Sequence, residues 1–281
     1  MRQEKGFTLI ELLVVIAIIA LLLSIVMPAL SRAKLYARRV ICSNDIRQQS
    51  LGALLYSNDN DSCVPRSESG SWLWDVSFLS TDQMSQYAGF DDNKTFFCAA
   101  NKMKKAEDAR FWQFSWLSST GNKYPNLVPL WDESSLRRDQ LNTCYRVLPF
   151  IYTFDKFNSN GDSVLPDRLL TGEKAHWISK LSKLPSASAK LMIMDAVISD
   201  GIARQGEWNF FQIYSGGIDE LSDGNLWDNT NHQSRQTIRA SGGSGPKPAG
   251  GNAAYADGHV DWRKFDGMKH HVTISDMWFW W

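Results

Sequence analysis

Lys5-Gly6-Phe7-Thr8-Leu9-Ile10-Glu11-Leu12-Leu13-Val14-Val15-Ile16-Ala17-Ile18-Ile19-Ala20 sets the reading of everything that follows it. It is a short charged leader, a glycine, and then an apolar run carrying one acid. From Phe7 to Leu30 the only ionisable side chain is Glu11, and the next charge is Arg32. An uninterrupted apolar run of about 20 residues crosses a hydrocarbon core as a helix, which satisfies its backbone polar groups internally. A helix in a soluble core would carry a polar face, and this one carries none. A carboxylate in such a segment is costly unless it is paired, which marks Glu11 as functional. An acid at a helix start is also favoured by the helix dipole.

Beyond the apolar run the helical pattern continues to about Tyr56, giving a helix of about 50 residues, or roughly 75 Å. Pro28 removes a backbone donor late in the span and is expected to bend the helix there. Ala33, Ala37, Val40, Ile41, Leu51 and Leu55 fall on one side at helical spacing, and Leu35, Cys42, Ile46 and Ala53 on the other. A helix apolar on two faces is covered twice: one face carries the rest of the chain, the other meets a neighbour. Gly52 weakens the helix near its end, and Asn58-Asp59-Asn60-Asp61 stops it.

The stretch Lys5 to Leu12, joined to an uncharged helix, resembles the class III signal of type IV prepilins and type II secretion pseudopilins. That resemblance implies cleavage after Gly6 by a membrane peptidase, which also methylates the new terminal amine on Phe7. The apolar helix is then retained, unlike a secretory signal, which is removed. It implies that Glu11 pairs with the terminal amine of Phe7 on the neighbouring subunit, an attraction strengthened in low dielectric. Pro28 matches a proline common in such helices. The implied partners are the peptidase and methylase, other pilin or pseudopilin subunits, an inner-membrane assembly platform, and secreted cargo; the aromatic head adds glycan as a further candidate. The implied location is the inner membrane, crossed once, with the amino terminus cytoplasmic and the head periplasmic or extracellular, and then a fibre. Basic residues flank both ends of the span (Arg2 and Lys5 before it, Arg32, Lys34, Arg38 and Arg39 after it), so charge alone does not orient it.

The expected fold is α+β: a long amino-terminal transmembrane and stalk helix packed on a mostly antiparallel β-sheet head, as in pilins. Residues 1–6 are the leader, 7–30 the span, 31–57 the amphipathic stalk, and 58–281 the head, with a loop at 240–251. The head is long enough for a core of its own. Of 281 residues, Lys plus Arg and Asp plus Glu number 30 each, so net charge is zero and nucleic acid is an unsuited partner. Twelve tryptophans suit an aromatic core or an exposed platform for sugars or another subunit.

Within the head, Ser71 to Leu79 supplies packing segments. Cys144 to Tyr152 reads as a strand pair or a strand with a break, Lys190 to Ala196 as the clearest buried strand, and Asn209 to Tyr214 as another. Ser241 to Gly251 is a flexible loop by composition. It leads into Asn252 to Trp262, a hairpin with an Asp257-Gly258 turn. Met277-Trp278-Phe279-Trp280-Trp281 is packed in the head or meets a partner.

The four cysteines, Cys42, Cys63, Cys98 and Cys144, allow three pairings, and the sequence does not choose among them. None forms a Cys-x-x-Cys, which argues against thiol redox chemistry and zinc. The segment Arg39 to Asp59 resembles a subgroup of pilin-like proteins of planctomycetes, with a mid-helix cysteine and a Phe-x-Cys element after the first head segment. That likeness, with Thr95-Phe96-Phe97-Cys98 as the counterpart, implies a Cys42–Cys98 bridge. The subgroup also carries a histidine ten residues before its carboxy-terminal Asp-Gly. Here Lys247 stands at that place, and the nearest upstream histidine is His232, separated by the glycine-rich stretch.

No metalloprotease, nucleophile-elbow or phosphate-loop pattern is present, so the chain is not read as an enzyme. The five histidines are read as surface residues. No cofactor is expected, with calcium the one ligand considered. Asp219, Asp223, Asn225 and Asp228 group hard oxygen donors on a turn, without EF-hand spacing, and Asn158, Asn160 and Asp162 form a weaker group. The function expected is that of a fibre subunit of a type IV pilus or type II secretion system. The alternative is a membrane-anchored extracytoplasmic module that binds carbohydrate.

Overall fold

The computed structural model describes residues 8–65, 73–90, 93–106, 145–155, 177–200, 208–210, 213–214, 227–240, 243–274 and 277–281. Helix α1 runs from Leu9 to Asp59 without interruption, and Pro28 lies within it. It opens on a capping box that the spacing Thr8-x-x-Glu11 encodes: Glu11 N donates to Thr8 Oγ1, and Thr8 N donates back to the Glu11 carboxylate. It ends within the polar cluster, capped by Asn60, with Asp61 and Ser62 at positive φ.

The two halves of α1 have different surroundings. From Leu9 to Arg38 every residue is exposed. Farther on, Cys42, Ile46, Gln49, Ser50, Ala53 and Ser57 are buried, a stripe one and two turns apart that carries the head. Leu35, read as part of this face, lies above the head and stays exposed. Val40, Ile41, Leu51 and Leu55 are exposed on the opposite side, Val40 at 67 %.

Strand β1 (Asp75–Ser77) leads into helix α2 (Phe78–Ala88), N-capped by Ser77 and closed by Gly89 in the left-handed region. The sequence reading named Ser71 to Leu79 as packing segments and did not foresee this helix. α2 lies against α1 where Gly52 faces it: a Cβ at Gly52 would stand 2.2 Å from the Met84 carbonyl oxygen. The glycine that weakens α1 is therefore what lets the two backbones touch.

The broken strand at 145–152 is β2 (Tyr145–Val147), paired with β1, and β3 (Phe150–Tyr152), paired with β4 (Leu191–Asp195). All five residues of β4 are buried. Strand β5 is Ile198–Asp200, β6 Ile213–Tyr214 and β7 Trp227–Asp228, the last two a short antiparallel pair. Of the strand read at Asn209 to Tyr214, Ile213 and Tyr214 form β6, and residues 211–212 lie outside the described residues. Strands β8 (His232–Ala240), β9 (Gly243–Tyr255) and β10 (Val260–Lys264) complete the main sheet, ordered β10-β9-β4-β3 with β8 also on β9, all antiparallel. Strands β11 (His270–Ile274) and β12 (Met277–Trp280) join β5 in a second sheet. The carboxy-terminal aromatics are packed: Phe279, Trp280 and Trp281 are buried, and Phe279 lies 5.2 Å from the Trp74 ring.

The glycine-rich stretch is the main correction. Residues 243–251 are not a loop but most of β9. Pro246 and Pro248 lie opposite β8 next to register shifts, where a strand tolerates a missing donor. Gly250, at φ +142, lies so close to β10 that a Cβ would stand 2.1 Å from the Arg263 carbonyl oxygen. Composition signalled flexibility, whereas close strand packing is what these glycines permit. The hairpin at 252–262 forms as read, with Ala254 opposite Val260 and Gly258 at φ +88 in its turn.

Candidate functional site

Among the described residues two places have functional geometry, one at the start of α1 and one in the head beside it. At the helix start, the Glu11 carboxylate accepts 2.8 Å hydrogen bonds from both Thr8 N and Thr8 Oγ1. The sequence reading assigned Glu11 to a neighbouring amine and overlooked its local partner, although the Thr-x-x-Glu spacing announces it. Gly6 and Phe7 lie outside the described residues. The helix from Leu9 is the one element long and apolar enough to cross a membrane among the described residues, and that window is wholly uncovered.

The second place lies in the head, where β4 ends and β8 begins. β10 pairs with Gly250 through Ala254 on one edge of β9; β4 and β8 share the other edge, with His232 opposite Gly250. The side chain of Asp195, the last residue of β4, meets His232 there. Asp195 Oδ2 accepts from Asn252 N at 2.8 Å and Asn252 Nδ2 at 2.7 Å, and lies 3.0 Å from His232 Nε2. Its Oδ1 accepts from Asn231 Nδ2 at 3.0 Å. Asp195 is completely buried and His232 is 6 % exposed. A buried carboxylate persists only with such a set of donors.

This network is tied to α1. Asn252 Nδ2 also donates to the Arg39 carbonyl at 3.1 Å, and the Arg39 guanidinium sits 3.9 Å above Trp262, whose ring meets His232 edge to face. Cys42 of α1 is joined to Cys98 by a disulfide, Cα to Cα 5.1 Å. The Cys98 sulfur lies 3.6 Å from His232 Nε2. One ligand-capable atom from each of Cys42, Cys98, Asp195 and His232 falls within 4.8 Å of the others, and all four residues are buried. Nearby, Gln49 of α1 donates to the Thr95 carbonyl at 2.6 Å and accepts from the Tyr152 hydroxyl. Burial pushes that hydroxyl's pKa well above its usual 10.0, which keeps it a donor.

His232 thus corrects two readings. It is not a surface histidine, and the absence of Cys-x-x-Cys does not keep metal-ligand types apart, because the fold gathers them from α1, the turn at Cys98, β4 and β8. The signal for this site was Asp195 itself, an acid closing an apolar run that strand burial takes inside. The stretch from His232 to Gly250 is an excursion out and back along one hairpin, and it returns the chain beside its starting point.

Cys63 lies outside the bridge, partly buried, and Cys144 falls outside the described residues. So do Asp219, Asp223, Asn225, Asn158, Asn160 and Asp162, while Asp228 ends β7. His259 stacks on Tyr255 in the β9–β10 turn, and its backbone N–H donates to Asp257.

Residues 1–27 match the family model described as a prokaryotic N-terminal methylation motif. Over 62 residues, 22% of this chain, the sequence is 42% identical to the type IV wide pilus major component PilA4 of Thermus thermophilus. The match takes in 47% of that relative, so this chain spans under half of its length. No solved structure matches the chain. The protein therefore opens with a type IV pilin-like class III prepilin signal, and that signal leads into a long apolar helix packed, in a pilin-like layout, against mostly antiparallel sheets.

Proposed function

We propose that the protein is a structural subunit of a pilus-like or type II secretion fibre. A membrane peptidase cuts between Gly6 and Phe7 and methylates the Phe7 amine. The retained helix anchors the subunit in the inner membrane with its head outside, and the head carries no enzyme chemistry. Assembly packs the bare half of α1 against other subunits on an inner-membrane platform. Glu11 exchanges part of its bonding with Thr8 for the terminal amine of a neighbour.

The observation that carries this reading is the apolar surface of α1. It is uncovered from Leu9 to Arg38 and continues along the side of the stalk turned away from the head, through Val40, Ile41, Leu51 and Leu55. A surface that size in one subunit is a surface for others. The test is to express the chain with its export machinery, then measure the mature amino terminus by mass spectrometry and fibre yield by shearing. A methylated Phe7 terminus and fibres are expected, with fibres lost in Glu11→Ala. A chain that retains Met1, or fibres unaffected by Glu11→Ala, refutes the reading.

The half-exposed Trp208 and Trp278, beside the exposed His270, favour a second reading in which the head also binds carbohydrate. Retention of the chain on immobilised glycans, lost in Trp278→Ala, is the outcome that supports it.

A further inference from the structure

We propose that the Cys42, Cys98, Asp195 and His232 group is a two-state cross-link, a disulfide when oxidised and a zinc-class divalent cation site when reduced. Three observations carry this. The four donors, two cysteine sulfurs, an imidazole nitrogen and a carboxylate oxygen, are all ligand types that zinc takes. They come from four separate elements yet already lie within 4.8 Å of one another. A tetrahedral zinc with thiolate and imidazole ligands needs donors about 3.3–3.8 Å apart, so small side-chain rotations complete the shell. The third is the support behind the donors. Asn252 and Asn231 hold Asp195 through three hydrogen bonds, the outer-shell orientation that metal carboxylates require, and those N–H groups face the surplus negative charge of a two-thiolate, one-carboxylate site.

The chemistry balances. A dithiol reductant gives two electrons and two protons to the Cys42–Cys98 bond, which breaks to two thiols as the reductant closes its own disulfide. The metal then takes the place of both thiol protons, which leave to solvent, and forms one bond to each sulfur. His232 Nε2 and one oxygen of Asp195 turn from each other to the metal. In either state α1 stays linked to the head at Cys42.

The test uses the full-length chain in detergent, oxidised or reduced with a non-ligating phosphine, and titrated anaerobically with Co²⁺ and then Zn²⁺. The reduced chain is expected to bind one Co²⁺ with a thiolate-to-metal charge-transfer band that Zn²⁺ abolishes; the oxidised chain shows no band. His232→Ala weakens Co²⁺ binding at least about tenfold. A Cys63→Ser, Cys144→Ser variant, with the pair intact, keeps the band. Four results would each overturn the proposal: no band in the reduced chain, loss of the band in the Cys63→Ser, Cys144→Ser variant, unchanged affinity in His232→Ala, or a band surviving Cys42→Ser, Cys98→Ser.

Discussion

The first and second halves of α1 use one helix for opposite purposes. Between Leu9 and Arg38 no side chain is covered, and from Leu12 to Leu30 every residue but Ser24 is apolar. Between Cys42 and Ser57 the buried face includes Gln49, Ser50 and Ser57 as well as Cys42, Ile46 and Ala53. The bare half is uniform, as suits the proposed neighbours, lipid and like helices, which ask only for apolar surface. The covered half is heterogeneous because a particular head must fit it: Gly52 for a backbone, Gln49 for a carbonyl and a hydroxyl, Cys42 for a sulfur. A surface for many contacts reads as composition, whereas a surface for one reads as individual residues.

If that contrast is real, substitutions in and under the covered half change stability, and those on the outer stripe change assembly alone. The largest loss is expected for Asp195→Ala, which strands the donors of Asn231, Asn252 and His232 in the interior. Removing one partner of a buried charged network costs about 3–5 kcal/mol, a fall in melting temperature of roughly 10 °C for a chain of this size. Thermal melting of the full-length chain in detergent measures it, and a fall under about 2 °C would show that the network holds nothing together. Gly52→Ala follows. It gains about 1 kcal/mol of helix propensity but pushes α1 from Met84 of α2, an overpacking cost of about 1–3 kcal/mol. The melting temperature should drop, and a rise would mean that the helices separate freely.

Val40→Asp is expected to leave melting within about 0.5 kcal/mol while lowering sheared-fibre yield; undiminished fibres would place the contact surface elsewhere. The smallest effect concerns pH. The His259 backbone N–H holds the Asp257 pKa below its usual 3.8. A lowered carboxylate pKa contributes stability above the unfolded value, lost as pH falls through the folded one. Asp257→Asn should therefore melt slightly lower than the parent at neutral pH and converge with it below about pH 4, the free-carboxylate range. A gap that persists in acid would point to packing rather than charge.

The legible parts of this protein are those whose physics is local. The span, the helix length, the stop at Asn58–Asp61, the turn at Gly258 and strand β4 each follow from neighbours in sequence. The prepilin signal is local as well. The missed features depend on distant residues. α2 was hidden among short apolar runs, and β9 was hidden by glycines whose role appears only when β10 lies against them. His232 looked exposed because its partners, Asp195 and Cys98, are 37 and 134 positions away. The implied Cys42–Cys98 pairing came from likeness, and the fold supplies its reason: β9 and β4 lie under α1 at that turn, next to the Cys98 segment.

The disulfide has a mechanical consequence. It joins the rod to the body at a point 56 residues apart in sequence, near the upper edge of their contact. A pull on the body is passed to the rod there through covalent bonds, and the noncovalent packing beneath is shielded from peeling. In the proposed fibre, that shielding would leave the contacts between neighbouring rods, rather than the join of rod and body, to yield first under tension.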